Sequence, residues 1–189
     1  MLQLPNAQLS FQSDFLSREE SNELYQYLIV AIPWENQQIT LFGKTFSCPR
    51  LEAFFAADGL TYGYSGNRLT TNTFTPVLAA LKKRVEEKAG TDFNAVLVNY
   101  YRDGNDSNGW HADNEKELGK NPIIASLSLG ETRRFDLKHN SLALKEQFYL
   151  SAGSLLIMAG ETQHFWKHQL PKSKKVRSGR INLTFRKII

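Results

Sequence analysis

"NYYRDGNDSNGWHADNEKEL" spans Asn99–Leu118. The β-rich run Ala95–Tyr101 enters it, and a loop crowded with Gly, Asn and Asp follows, the residue types that make turns. The chain then resumes with His111-Ala112-Asp113. In an extended segment residues i and i+2 point the same way, so one imidazole nitrogen and one carboxylate oxygen could meet a single metal. A polar turn that contains a histidine is the plainer reading. A metal face needs a third ligand, and the chain has four histidines in all. His139 lies in the polar turn "KHNSL"; His164 and His168 lie in "GETQHFWKHQLP", directly after the apolar run "SLLIMAG".

The end of the chain bears on the choice. In "RINLTFRK", Arg180–Lys187, strand alternation puts Arg180, Asn182, Thr184 and Arg186 on one face and Ile181, Leu183 and Phe185 on the other. A polar face in water explains this pattern simply. If the face points into a barrel instead, two guanidinium groups need an acidic guest, because unpaired buried charge is costly. A dicarboxylic acid supplies one carboxylate for each. In "VLVNYYRD", Asn99 and Tyr101 share a face and could complete a pocket for a small acid.

Two helices are expected early. Ser17-Arg18-Glu19-Glu20 has the form of a capping box before Leu24, Leu28 and Ile32, and Thr75-Pro76 starts a second helix through Val77, Leu81 and Val85 to Gly90. "QQITLFGKTFSCPR" between them has the form of a hairpin turning at Gly43-Lys44. After Gly90 come short strands: 95–101, 123–129, 134–138, 147–150, 154–159 and 180–187. Such a series implies a sandwich, jelly roll or barrel. The expectation is an α+β protein in which early helices buttress a β core built from the second half.

With 189 residues the chain suits one domain. Net charge is +4, but 162–189 carries Lys167, Lys172, Lys174, Lys175, Arg177, Arg180, Arg186 and Lys187 without an Asp or Glu. That basic end suits a polyanionic partner or a solvated surface. The single cysteine, Cys48, excludes an intrachain disulfide and a cysteine-based zinc cluster. No signal peptide or membrane span is expected, so the default is a reducing, cytosolic setting.

Taken together, His-x-Asp, a distal His after an apolar strand, and an Arg-rich strand occur in that order. Two His and one carboxylate on a β scaffold form the facial triad of non-haem Fe(II) oxygenases, with open positions for a 2-oxo acid and O₂.

At these residues the chain resembles the AlkB family of Fe(II)/2-oxoglutarate-dependent nucleic-acid demethylases, and most of all its duplex-DNA repair branch. "NYYRDGNDSNGWHADNE" matches the family's Asn-x-Tyr, loop and His-x-Asp; "FWKHQLP" matches the segment of the distal iron ligand; "RINLTFR" matches its Arg-x5-Arg strand; "LFGK" and "LTYGYSG" match the base-displacing hairpin and substrate-facing segment. The resemblance implies a double-stranded β-helix (jelly-roll) core, buttressed by N-terminal helices, with an N-terminal nucleotide-recognition hairpin lobe. It implies a single domain over 1–189, helices and hairpins to about 90 and catalytic core from about 91.

By the same resemblance His111, Asp113 and His168 bind iron. Arg180 with Tyr101 holds the distal carboxylate of 2-oxoglutarate; Arg186 holds its metal-side carboxylate and steadies Asp113; Asn99 and Thr184 complete the pocket. Phe42, Gly43 and Lys44 enter the duplex, Tyr62 and Tyr64 stack on the flipped base, and Asn114 and Glu115 stand near its polar edge. Asn114 replaces an acid and Tyr64 a Phe of that branch, which bears on lesion preference.

The implied reaction is demethylation of 1-methyladenine- or 3-methylcytosine-type bases in DNA, with 2-oxoglutarate and O₂ converted to succinate and CO₂ and the methyl group released as formaldehyde. The implied partner is alkylated DNA, with RNA as a second substrate, and the chain is expected to be a monomer that binds no membrane. The expected location is cytoplasmic in a bacterium and nuclear in a eukaryote. Phosphate contacts are expected from Lys44, Arg50 and the segment Lys172–Arg177. The alternatives are an oxygenase of RNA, protein or a small molecule, and a non-enzymatic nucleic-acid-binding β domain. The "LFGK" hairpin favours a duplex.

Overall fold

A computed structural model describes residues 4–41, 44–57, 60, 63–64, 67–68 and 70–189, with backbone alone for 39–41, 44, 63–64 and 67–68. The first half runs β1 (Gln8–Gln12), α1 (Arg18–Ala31), β2 (Gln38–Leu41), β3 (Lys44–Ser47), β4 (Leu51–Ala56), β5 (Gly63–Tyr64), β6 (Asn67–Arg68), β7 (Thr71–Asn72) and α2 (Pro76–Ala89). The second runs β8 (Ala95–Tyr101), β9 (Asn108–His111), β10 (Ile124–Gly130), β11 (Arg133–His139), β12 (Lys145–Leu150), β13 (Leu155–Ala159), α3 (Thr162–Phe165), β14 (Trp166–Leu170) and β15 (Arg180–Arg186).

Both long helices begin where side chains can satisfy their first N–H groups. Ser17 Oγ accepts from Glu20 N–H at 3.1 Å, and Thr75 Oγ1 accepts from Leu78 N–H at 3.2 Å. The Glu20 carboxylate accepts in turn from the Ser17 backbone N–H, which completes the capping box, and it also pairs with Arg84 on α2. Gly90 ends α2 at φ 66°, a left-handed turn that a side chain would resist.

A seven-stranded sheet in the order β1-β13-β10-β15-β8-β4-β7 faces a four-stranded sheet in the order β12-β11-β14-β9. This is the two-sheet arrangement of a jelly roll. The large sheet is buried on both sides. Val96, Val98, Ile181, Leu183 and Phe185 pack with Leu28, Leu78, Leu81 and Val85 of the helices. Their alternates Ala95 and Leu97 pack with Phe135, Leu137 and Trp166 of the smaller sheet. Alternation therefore sends Arg180, Asn182, Thr184 and Arg186 between the sheets, not into water. Each of the four is less than 9% exposed.

The core differs from the sequence expectation in two respects. β9 and β14, the paired strands that carry His111 and His168, are not among the expected strands. Three strands of the large sheet, β1, β4 and β7, come from before residue 90, so the core is not built from the second half alone. "LEAFFA" in β4 lacks polar alternation because its residues 52–56 are all buried.

Candidate active site

Two strand pairs build the site. β15 and β8 align Arg180 with Tyr101 and Asn182 with Asn99, so the polar tips of both strands meet at one end of the space between the sheets. β9 and β14 align His111 with His168, whose ring centroids lie 4.2 Å apart. Asp113 follows two residues after His111. One ligand atom from each of His111, Asp113 and His168 falls within 4.8 Å of the others.

Each donor has a fixed orientation. His111 Nδ1–H donates to Gly109 O at 2.7 Å, which leaves the Nε2 lone pair for a metal. The His168 ring stacks on Phe135, centroids 5.3 Å apart. Arg186 Nη2 donates to Asp113 Oδ1 at 2.7 Å, Asp113 Oδ2 lies 3.6 Å from His168 Nε2, and Asp113 N–H donates to Gln163 Oε1 at 2.9 Å.

The charge states suit metal binding. Burial, reinforced by His111, pulls the His168 pKa down to about 3, and burial lowers that of His111 too. Burial alone would raise Asp113, but the positive charge of Arg186 and then the two imidazoles outweigh it and bring the carboxyl to about 2. Neutral imidazoles beside an ionised carboxylate are the forms that ligate a divalent ion.

Arg180 is the strongest sign of a second guest. It is 2% exposed, its Nη2 donates to Ser128 Oγ at 2.9 Å, and its Cζ lies 5.5 Å from the Tyr101 ring centre. It forms no ion pair among the described residues, and its Nε has no hydrogen-bond partner among them. Burial lowers its pKa to about 10, which still leaves it charged at neutral pH. A buried cation with an open donor calls for an anion. Between Arg180 and Arg186, Thr184 Oγ1 donates to Asn182 Oδ1 at 3.0 Å, and Asn182 Nδ2 donates to Ser126 Oγ at 2.8 Å.

The other candidates separate clearly. His164 is exposed and meets Asn121 at 2.9 Å, and His139 Nδ1 accepts from the N–H groups of Ser141 and Leu142; neither reaches the cluster. Asn99 lies in the cavity wall, its Oδ1 accepting from Arg50 Nε at 3.0 Å. Asn114 is exposed and Glu115 half-buried, just past Asp113. Phe42, Gly43 and Tyr62 lie outside the described residues, and Lys44 and Tyr64 are described by backbone alone.

Arg50 is a correction. It is not a surface contact for phosphate but a buried residue, 5% exposed, held by Glu52 at 2.6 Å. Asn108, Ser126, Ser128, Asn182 and Gln163 also shape the site without having been assigned a role from sequence. The alternation of "IASLSLG" could have revealed Ser126 and Ser128; nothing local marks Gln163.

Residues 8–186 match the model of the 2OG-Fe(II) oxygenase superfamily. The chain belongs to this superfamily. Among curated relatives, alpha-ketoglutarate-dependent dioxygenase alkB homolog 3 of Rattus norvegicus is 38% identical over 92% of the chain, and DNA oxidative demethylase ALKBH2 of Mus musculus is 40% identical over 94%. These relatives place it in the AlkB family. The chain spans 62% of the length of the first and 76% of the second. The structure titled "The structure of OsALKBH1" shares the fold, with a TM-score of 0.69 at 18% identity, covering 99% of this chain and 100% of that one. The donor set fits the family's iron, and the buried Arg180 fits the far carboxylate of its 2-oxo acid.

Proposed function

We propose that the protein is an Fe(II)- and 2-oxoglutarate-dependent oxygenase that removes N-linked alkyl groups from bases in DNA. The observation that carries this reading is a buried Arg180, without an ion pair among the described residues, in the same cavity as the His111, Asp113 and His168 cluster. A metal site alone suits many chemistries. A metal site with a buried cation in the same cavity wall suits a chelating diacid. The relatives named as DNA oxidative demethylase support DNA as the substrate.

His111, Asp113 and His168 would hold Fe(II), which with 2-oxoglutarate and O₂ supplies the oxidising chemistry. Arg180, with Tyr101, holds the far carboxylate. Arg186 keeps Asp113 ionised and oriented, and its guanidinium also faces the metal-side carboxylate. Asn99 and Thr184 finish the wall around the acid. The sheets on either side exclude bulk water, so these contacts act at low dielectric.

Lys172, Lys174, Lys175 and Arg177 are exposed on one loop and would meet the phosphate backbone. The "LFGK" tip with Phe42, Gly43 and Lys44 would enter the stack, and Tyr62, Tyr64, Asn114 and Glu115 would face the extruded base. The chain would act as a monomer.

The test is a demethylation assay on matched single-stranded DNA, duplex DNA and RNA oligonucleotides, each with one methylated base. Formaldehyde and succinate in equal amounts, dependent on Fe(II), are expected with DNA. Uncoupled succinate alone on all three would point to a different substrate class.

A further inference from the structure

Asn108 stands in the cavity wall beside His111 and belongs to a polar chain that runs from the buried Glu52 and Arg50 to the half-buried Asn108 and His111. Glu52 is 2% exposed and holds Arg50, with Arg50 Nε at 2.7 Å and Nη2 at 2.6 Å from the same carboxylate oxygen. Arg50 Nη1 donates to Asn108 Oδ1 at 3.2 Å. The other end of that amide, Asn108 Nδ2, lies 3.3 Å from His111 Nε2.

The order of donors follows from chemistry, not from how an amide happens to be drawn. A guanidinium has donors and no acceptor, so the Asn108 oxygen must face Arg50 and its NH₂ must face His111. His111 in turn has its Nδ1 proton committed to Gly109 O, so Nε2 can only accept. The amide NH₂ is thus aimed at the lone pair that a metal ion takes. A metal on Nε2 would take that lone pair, and the NH₂ group would then need another acceptor close by. Its oxygen cannot turn inward to ligate, because Arg50 and Glu52 hold it.

We propose that Asn108 is a hydrogen-bond donor to an oxygen ligand on the metal, either a carboxylate oxygen of the 2-oxo acid or the small oxygen ligand beside it. Arg50 and Glu52 are the positioning residues that present its NH₂. This rests on the metal and 2-oxo acid of the proposed function.

The test is anaerobic titration of the Fe(II)-loaded protein with 2-oxoglutarate, followed by its visible charge-transfer band. In parallel, nitric oxide, a stand-in for the small oxygen ligand, is added and the complex is read by electron paramagnetic resonance. Asn108→Leu removes the donor at similar size. Iron affinity should hold, while 2-oxoglutarate affinity falls roughly three- to tenfold with a shifted band, the loss of one hydrogen bond. A changed nitric oxide spectrum with unchanged 2-oxoglutarate affinity would assign the donor to the small ligand instead. Glu52→Gln should give a smaller change in the same readout.

If Asn108→Leu does not fold, Asn108→Asp keeps the acceptor toward Arg50, replaces the donor by an acceptor and should weaken 2-oxoglutarate more. Unmoved band, affinity and nitric oxide spectrum in a folded variant would overturn the proposal. No band in the unsubstituted protein would instead overturn the reading beneath it.

Discussion

His111 and His168 are register partners across β9 and β14, their ring centroids 4.2 Å apart. Sheet pairing therefore sets the spacing of the two imidazoles proposed to hold the metal, while Asp113 is set separately by Arg186 and Gln163. Ligands built on strands and braced by outer contacts are held close to their working geometry before any ion arrives. His164 lies outside this pairing, on α3 before β14 begins, where it meets Asn121.

Replacing His111, Asp113 or His168 by Ala should weaken Fe(II) binding beyond the roughly 10–100-fold cost of removing an outer partner. His139→Ala and His164→Ala should bind iron as before. Equilibrium dialysis under argon measures this. Retained binding in His168→Ala with loss in His164→Ala would reverse the assignment of the distal ligand.

Arg186→Met should destabilise the metal-free chain. It leaves the Asp113 carboxylate 1% exposed and without its guanidinium partner. Breaking a buried pair from one side costs roughly 3–5 kcal/mol. Urea denaturation should show that loss, and adding Asp113→Asn should restore part of it. An Arg186→Met protein as stable as the parent would mean that the pair contributes little.

Much of this was legible in advance, for physical reasons. The alternation in "RINLTFR" is a local property of a strand, and so are the caps at Ser17 and Thr75. What was hidden depends on topology. β4 is buried on both faces, so "LEAFFA" carries no alternation to read. Arg50 has the composition of a surface phosphate contact, and only its pairing with Glu52 and Asn99 shows it to be internal. Asn108 and Gln163 act through partners far away in sequence, and no local pattern announces such a bond.

Arg180→Ala should raise the 2-oxoglutarate concentration needed for half-saturation. One charge-assisted contact is worth roughly 1.5–3 kcal/mol, or about tenfold to a hundredfold in affinity. Arg180→Lys should recover only part of this, because an ammonium lacks the planar fork. Titration by tryptophan quenching, without turnover, separates binding from chemistry. An unchanged half-saturation would show that the acid lies elsewhere.

Asp106 offers a test by pH. It takes three hydrogen bonds from Arg102: N–H at 2.9 Å, Nε at 2.7 Å and Nη2 at 2.8 Å. Burial pushes its pKa up, but these bonds and the positive charge of Arg102 prevail and hold it below the ordinary carboxylate value. A carboxyl lowered in the folded state contributes stability above its unfolded pKa, about 3.9, and loses it as pH falls through the folded value. Asp106→Asn should therefore melt lower than the parent at pH 7, with the gap closing below about pH 4. A gap that stays constant down to strongly acidic pH would assign the loss to shape, not charge.

Gly104 links the loop before β9 to the basic loop that precedes β15. Gly104 N–H donates to Val176 O at 3.3 Å, and Ser173 N–H donates to Gly104 O at 2.8 Å. A Cβ at Gly104 would collide with Ser173 O and fall 2.8 Å from Val176 O. Both obstacles are backbone, so Gly104→Ala must push the loop of Lys172, Lys174, Lys175 and Arg177 away from its seat. Arg133 resists this from below, through Pro171 O at 2.8 Å and Asp103 O at 2.9 Å, so the shift should stay within the loop. Oligonucleotide affinity should fall, and the slope of log affinity against log salt should flatten by about 0.9 for each duplex phosphate that the loop no longer neutralises. Iron and 2-oxoglutarate binding should not change, because their side chains come from the strands between the sheets. Fluorescence anisotropy at several salt concentrations measures the slope. If affinity and slope both match the parent, these four cations do not meet the phosphates.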